Sequence, residues 1–200
     1  MKTLLQLEAS IFSGQGNSSH LVKNFVGSWQ QHNPDHVVIH RDLSQNPVPH
    51  LSAERVQSFF TPEADRTEAQ KAVVAYSDAL IEEVRRADVI VIGLPMYNFG
   101  IPSTLKAYFD HLARAGVTFK YTATGPVGLL NDKPVYIMAA RGGAYPGTPK
   151  DTQTPYVRDF LNFIGISDVK FVYAEGLNIS PEHKQTSLTN AETQIATLVA

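Results

Sequence analysis

Three short segments hold the residues whose types and spacing could do chemistry. The first runs from Ser10 to Ser19 and contains Ser10, Gly16, Asn17, Ser18 and Ser19. The hydroxyls and the backbone N–H groups around Asn17 stand where a helical pattern begins, and there the helix dipole favours an anion. No Lys or Arg lies within the segment, so neutral donors and the dipole would carry the charge. A plain helix cap followed by a solvated loop fits the same residues. A Walker A loop needs Gly-Lys-Ser/Thr, which is absent. A dinucleotide G-x-G-x-x-G starting at Gly14 would need glycine at Ser19. A single phosphate therefore suits the segment better than a pyrophosphate.

The second segment is Pro95-Met96-Tyr97-Asn98-Phe99-Gly100. Met96, Tyr97 and Phe99 offer apolar wall for a planar ring, and Asn98 with nearby amides offers polar donors along the ring's edge. A hydrophobic turn packed on the core is the competing explanation, although loops carry few such residues by default and function concentrates in them. The third segment is Arg141-Gly142-Gly143, directly after Ala140. Glycines allow close approach of backbone to a flat ligand, and equally a turn with positive φ. Arg141 could stabilise negative charge on such a ring. The histidines His20, His111 and His183 show no metal-ligand spacing, and most read as solvated surface residues. There is no G-x-S-x-G elbow and no Ser-His-Asp set. An enzyme without obvious acids, bases or metals is what one expects when a cofactor carries the reaction.

The elements that must position these loops alternate. Leu4, Leu5 and Leu7 read as a first strand. Leu21, Val22, Phe25, Val26 and Trp29 recur at helical spacing, and Val37-Val38-Ile39 reads as a second strand. Residues 43–70 hold Pro47, Pro49 and Pro62 and form a long excursion with some helix, placed to fold over the site. A helix from Ala72 to Arg86 precedes the β-branched run Val89-Ile90-Val91-Ile92, which suits a central parallel strand covered on both faces. A helix with Leu105, Tyr108, Phe109 and Leu112 on its buried face follows. Val135 to Ala140 is the fourth strand, Tyr156 to Ile164 a helix, Val169 to Tyr173 the fifth strand, and Leu188 to Leu198 a closing helix. This order predicts an α/β fold: a doubly wound five-stranded parallel sheet, order 2-1-3-4-5, with helices on both faces and residues 1–200 as one domain. In that order the three loops leave neighbouring strands at their carboxyl ends, where open α/β sheets bind ligands.

Composition narrows the partners. Of the 200 residues 43% are apolar and 18% charged, and the formal net charge is −2, which together describe a globular chain with no basic stripe for nucleic acid. There are no cysteines, which excludes disulfides and thiolate sites and agrees with a reducing cytosol. The apolar start Leu4-Leu5 is interrupted by Gln6 and Glu8, too short for a signal peptide, and no run approaches a membrane span. A cytoplasmic protein is expected.

With Met96-Tyr97-Asn98-Phe99 placed after the third strand, the sequence resembles the FMN-dependent NADH azoreductases of the NAD(P)H:quinone oxidoreductase group, which have the flavodoxin-like fold. Ser10-Ile11, Ala113-Arg114-Ala115-Gly116-Val117-Thr118-Phe119, Arg141-Gly142-Gly143 and Phe163-Ile164-Gly165-Ile166 support the resemblance along nearly the whole chain. The resemblance implies that Ser10, Gly16, Asn17 and Ser18 hold the phosphate of one FMN per subunit. It implies that Met96, Tyr97, Asn98 and Phe99 line the ribityl chain and ring, and that Ala140, Arg141, Gly142 and Gly143 close over the ring's far edge. Where the family has Ser, Thr or Ala, this chain has Ala140, which offers no hydroxyl. The resemblance further implies a homodimer with shared active sites. Phe119, Tyr121 and Phe163 would then shape the substrate pocket, some of them from the partner. Phe119 and Tyr121 read as loop residues, and Phe163 as the edge of a helical stripe. The implied reaction is ping-pong: NADH or NADPH reduces the cofactor, which then reduces a quinone to a hydroquinone or cleaves an azo compound to amines. A flavodoxin-type carrier would be more acidic than −2, and a receiver domain would need clustered acids at the strand ends, where Glu8 stands alone.

Overall fold

The computed structural model describes residues 1–199. The chain opens with strand β1 (Thr3–Glu8), a single 3-10 turn at Ser13–Gln15, helix α1 (Asn17–His32) and strand β2 (Val37–Asp42). Helix α2 (Ala53–Phe60), helix α3 (Glu68–Arg86) and strand β3 (Val89–Pro95) follow. Next come helix α4 (Ser103–Leu112), the short strands β4 (Phe119–Thr122) and β5 (Gly125–Gly128), and strand β6 (Val135–Ala140). Helix α5 (Gln153–Ile164), strand β7 (Val169–Ala174) and helix α6 (Pro181–Val199) complete it.

The main sheet has the order β2-β1-β3-β6-β7, all pairs parallel. Leaving out the β4–β5 hairpin, this is the 2-1-3-4-5 order expected from the sequence. Every residue of β3 is buried, as its unbroken apolar run requires of a strand covered on both faces. Side chains alternate across the pleat and build one core per face. Leu5, Leu7, Ile90 and Ile92 pack with Leu80, Leu105, Phe109 and Leu161 from α3, α4 and α5. Leu4, Val91 and Met138 pack with Leu21 and Phe25 of α1 and Ile195 of α6. Helix α3 is started by a capping box between Thr67 and Gln70, and Arg85 and Arg86 stand at its negative end. No helix among the described residues is long and apolar enough to cross a membrane.

One expectation changes and two are refined. Phe119 and Tyr121 are not in a loop: they belong to β4, paired antiparallel with β5 in the register Phe119 with Gly128 and Tyr121 with Pro126. The 43–70 excursion meets the strand ends with its first residues, where Leu43 N donates to Glu8 O at 2.8 Å. Its first residues touch the first loop, through Gln45 Nε2 donating to Ser13 Oγ at 3.1 Å. It then descends along α3, and Pro49 O accepts a hydrogen bond from His111 Nε2 at 3.1 Å near the far end of α4. His111 is correspondingly not a surface residue: it is fully buried, with Phe59 and Tyr76 edge-on to its ring.

Candidate active site

The carboxyl ends of β1, β3 and β6 lie side by side. Glu8 pairs with Gly93, Pro95 pairs with Ala140, and Met96 N donates to Ala140 O at 3.1 Å. The three loops named from the sequence therefore leave one rim, as the strand order dictates.

The first loop is a half-finished hydrogen-bond network. Gly16 is the residue before α1 and provides no side-chain cap. The amides of Asn17, Ser18 and Ser19 find no protein acceptor among the described residues, as expected for the first turn of a helix. Ser18 Oγ is buried and likewise has no partner. Leaving a buried hydroxyl unpaired costs about 1–3 kcal/mol, so the orphan asks for an acceptor. Behind the cradle the loop is firmly tied. Ser13 Oγ donates to Asp42, whose carboxylate also accepts from Ser44 N at 2.8 Å. Ser10 Oγ accepts from Phe12 N at 3.2 Å and lies 3.5 Å from Tyr97 Oη. A Cβ at Gly16 would collide with Ser10 Oγ and stand 2.8 Å from Ser10 Cβ. Ser19 does not serve the cradle: its hydroxyl donates to Ser13 O at 2.7 Å. A cation stands closer than the loop's own composition suggests, since Lys23 Nζ donates to Gly14 O at 2.8 Å.

The second loop is closed and strained. Tyr97 N donates to Gly100 O at 3.1 Å and Gly100 N to Tyr97 O at 3.0 Å, a tight hairpin turn. Its two central residues, Asn98 (φ 50°) and Phe99 (φ 65°), both adopt the left-handed conformation. Asn tolerates this; for Phe it costs about 1–2 kcal/mol. Such strain persists where the surroundings over-determine it, and it concentrates at functional sites. Phe99 is 53% exposed on this turn, edge-on to Tyr145 at 5.8 Å. Tyr97 Oη accepts from Ile11 N at 3.2 Å and so ties the second loop to the first.

In the third loop the arginine head is turned into the protein, and the carbonyls of Arg141, Gly142 and Gly143 accept from Leu177, Asn178 and Gly176. Arg141 is buried, with Nε donating to Gln153 Oε1 at 3.1 Å, Nη1 to Glu175 Oε1 at 3.1 Å and Nη2 to Thr154 Oγ1 at 2.8 Å. Asp151 pairs with it at 3.2 Å, and its guanidinium lies over the Tyr173 ring at 5.0 Å. The Arg141 head is thus buried and engaged within the protein by Gln153, Glu175, Thr154 and Asp151. Burial raises the Glu175 carboxyl above its ordinary pKa, only partly countered by the Tyr145 amide and Arg141. For Asp151 burial acts the same way, but hydrogen bonds from Thr154 and Arg141 prevail and lower it. The glycines leave room for the chain's own side chains. A Cβ on Gly142 would stand 2.5 Å from Asn178 Nδ2, and one on Gly143 2.7 Å from Tyr145 Oη. Ala140 is buried at the strand end.

The structure does not bring the aromatic trio to this rim. Phe119 and Phe163 pack on each other at 4.2 Å, and Tyr121, 75% exposed, stands edge-on to Phe119 at 5.6 Å. Helix α5 begins at the rim with Gln153 and carries Phe163 ten residues, about 15 Å, away from it. Residues that sequence reasoning missed brace the rim from behind. Gln153 Nε2 donates to Pro95 O at 2.9 Å and to Gly100 O at 3.1 Å, and Thr152 Oγ1 donates to Phe99 O. Asp42 and Glu175 do the same for the first and third loops.

The rim thus defines a doubly wound α/β protein with a set of unpaired donors at the start of α1 beside a closed apolar turn. A family model described as flavodoxin-like fold matches residues 1–199. A protein named FMN-dependent NADH:quinone oxidoreductase from Cellvibrio japonicus is 58% identical over 200 residues, covering 100% of both chains. Among solved structures, azoreductase from Bacillus anthracis strain Sterne superposes with a TM-score of 0.91 at 31% identity, covering 100% of this chain and 99% of that one. An FMN-dependent NADH-azoreductase from the Ames Ancestor strain, in complex with FMN, superposes at 0.88 with 27% identity and full coverage of both chains. The chain belongs to the flavodoxin-like family of FMN-dependent NADH:quinone oxidoreductases and azoreductases.

Proposed function

We propose that this protein is an FMN-dependent oxidoreductase that takes a hydride from NADH or NADPH and delivers it, in a separate ping-pong half-reaction, to a quinone or an azo compound. The observation that carries this reading is the unpaired Ser18 hydroxyl, buried beside the open amides of α1. An FMN phosphate supplies the acceptors this set lacks, and Gly16 leaves the backbone close to Ser10. Bound FMN would supply a two-electron relay, accepting hydride at N5 and passing it on.

The chain's own residues bind, align and exclude water. Ser10, Gly16, Asn17 and Ser18 hold the phosphate. Met96, Tyr97, Asn98 and Phe99 line the ribityl chain and ring, while the backbone from Ala140 to Gly143 closes its far edge. Fixed amide donors near the ring's polar edge favour added negative charge there without reorganisation. The exposed ring of Phe99 leaves an apolar slot in which donor and acceptor can alternate, and stacking there provides alignment. A quinone leaves as a hydroquinone after one hydride and its accompanying proton. An azo compound needs two such rounds to become two amines.

The protein acts as a homodimer in this reading. Phe119, Tyr121 and Phe163 shape the substrate pocket, some of them reaching in from the partner. The exposure of Tyr121, with Val127 and Leu129 also open on the hairpin side, supports a covering surface.

The test is an absorption spectrum of the purified protein, with and without added FMN, followed by anaerobic titration with NADH. Flavin bands that bleach on NADH addition and return with a quinone are expected. A colourless protein that refuses FMN, or flavin bands that NADH leaves untouched, refutes the reading.

A further inference from the structure

We propose that Gln153, oriented by Arg141 and assisted by Thr152, is the positioning residue that holds the Tyr97–Gly100 turn in the shape that receives the flavin ring. The inference rests on the FMN reading above. It assigns a task to buried groups for which that reading has no use.

The turn cannot hold itself. Two consecutive non-glycine residues in the left-handed region relax toward ordinary φ unless neighbours prevent it. Its internal bonds join only Tyr97 to Gly100. Among the described residues the other donors to its carbonyls are side chains at the start of α5, while Met96 N is held by Ala140 O and Tyr97 Oη by Ile11 N. The one Gln153 amide grips the carbonyl before the turn, Pro95 O, and the carbonyl that ends it, Gly100 O. Thr152 holds the carbonyl of Phe99 between them.

The direction of the Gln153 amide is not free. A guanidinium can only donate, so the atom facing Arg141 Nε at 3.1 Å must be Oε1. That leaves Nε2, with its two hydrogens, for the two carbonyls. Arg141 is in turn held by Glu175, Thr154 and Asp151, all on segments flanking the third loop. The third loop and the ring turn are therefore set by one chain of bonds: Glu175 and Asp151 to Arg141, Arg141 to Gln153, Gln153 to the turn. Neither end of Gln153 has a substitute, since it is 1% exposed and out of reach of solvent.

Gln153→Glu tests the direction of the bond. It keeps the volume and the contact to Arg141 but aims a carboxylate oxygen at two carbonyl oxygens. Thr152→Val, at a more open position, removes one bond with little risk to folding. Both apoproteins are titrated with FMN and with riboflavin, followed by flavin fluorescence. The visible spectrum of the bound flavin is recorded, and apoprotein melting serves as the folding control. Because the phosphate cradle is untouched, both ligands should weaken by the same factor, about tenfold or more for Gln153→Glu and about threefold for Thr152→Val. The FMN-to-riboflavin affinity ratio should stay at the wild-type value while the flavin bands shift. Wild-type affinity and spectrum in both variants would overturn the inference. So would a loss confined to FMN, which places the damage in the cradle. Should Gln153→Glu fail to fold, Thr152→Val decides by the same criteria. A wild-type protein that binds no flavin at all removes the functional reading and this inference with it.

Discussion

The first and second loops leave neighbouring strands and meet at Tyr97, yet they are built on opposite plans. The first is tied down behind and left open in front: Ser13 donates to Asp42, Ser19 and Lys23 donate to carbonyls of the loop, and Ser18 Oγ and three amides stay unpaired among the described residues. The second closes on itself between Tyr97 and Gly100, has the carbonyls of Pro95, Phe99 and Gly100 held by the start of α5, and sets two consecutive non-glycine residues at positive φ. Open donors bind through energy gained when an anion arrives. A closed turn binds through shape, with its ordering cost met at folding rather than at binding. Ligands that differ only in a phosphate should therefore separate the two regions, and FMN against riboflavin is that pair.

Gly16→Ala should have the largest effect. The new Cβ collides with Ser10 Oγ, so either Ser10 or the start of α1 must move. Losing two charge-assisted hydrogen bonds weakens FMN binding on the order of 100-fold. Riboflavin, with nothing to place in the cradle, should lose far less. Equal losses for the two ligands would erase the distinction between the loops.

Ser18→Ala sharpens the distinction because its two effects have opposite signs. Without ligand the variant sheds a buried, unpaired hydroxyl and should be more stable by about 1 kcal/mol, read as a higher melting temperature. With FMN it lacks one donor and should bind about tenfold more weakly, riboflavin remaining unchanged. A less stable apoprotein would show that Ser18 already has a partner, and the loop would no longer count as open.

These contrasts were only half visible in the sequence. The all-apolar run of β3 and the periodic faces of α1 and α4 fix the sheet and its order, because burial on both faces or one leaves a direct mark on residue type. The loops were legible as well, since serines, glycines and aromatics gathered where strands end. Gln153 left no such mark. A glutamine at the head of a helix reads as solvated, and its partners are main-chain carbonyls more than fifty residues away that no composition records. Arg141 was legible only in part for a related reason: a cation beside two glycines suggests a ligand contact, and only the fold shows Glu175 and Asp151 holding its head. The β4–β5 hairpin is four residues per strand and carries Pro126, which argues against a strand in any sequence reading.

His111 supplies a third region against which the two loops can be compared, and the smallest expected effect. It lies buried under the 43–70 excursion, and its Nε2–H donates to Pro49 O, so the neutral ring leaves Nδ1 without hydrogen and without partner. Burial lowers its pKa below the ordinary 6.5; the bond to Pro49 and the charge of Asp110 oppose this, while Arg55 and Arg114 reinforce it. Below that ordinary value the unfolded chain takes up a proton that the folded chain resists, so this stability is present above pH 6.5 and is lost as pH falls. Melting temperature should drop between about pH 7.5 and 5.5, and drop less in His111→Gln, which keeps a donor for Pro49 but cannot titrate. The FMN-to-riboflavin ratio should not differ between wild type and His111→Gln across the same range, because beyond its first residues the excursion rests on α3 and α4. Identical pH slopes in the two proteins would remove His111 as the titrating group. A ratio that moved with the histidine would mean that the excursion reaches the cradle, through Gln45 and Ser13, the contact that joins them.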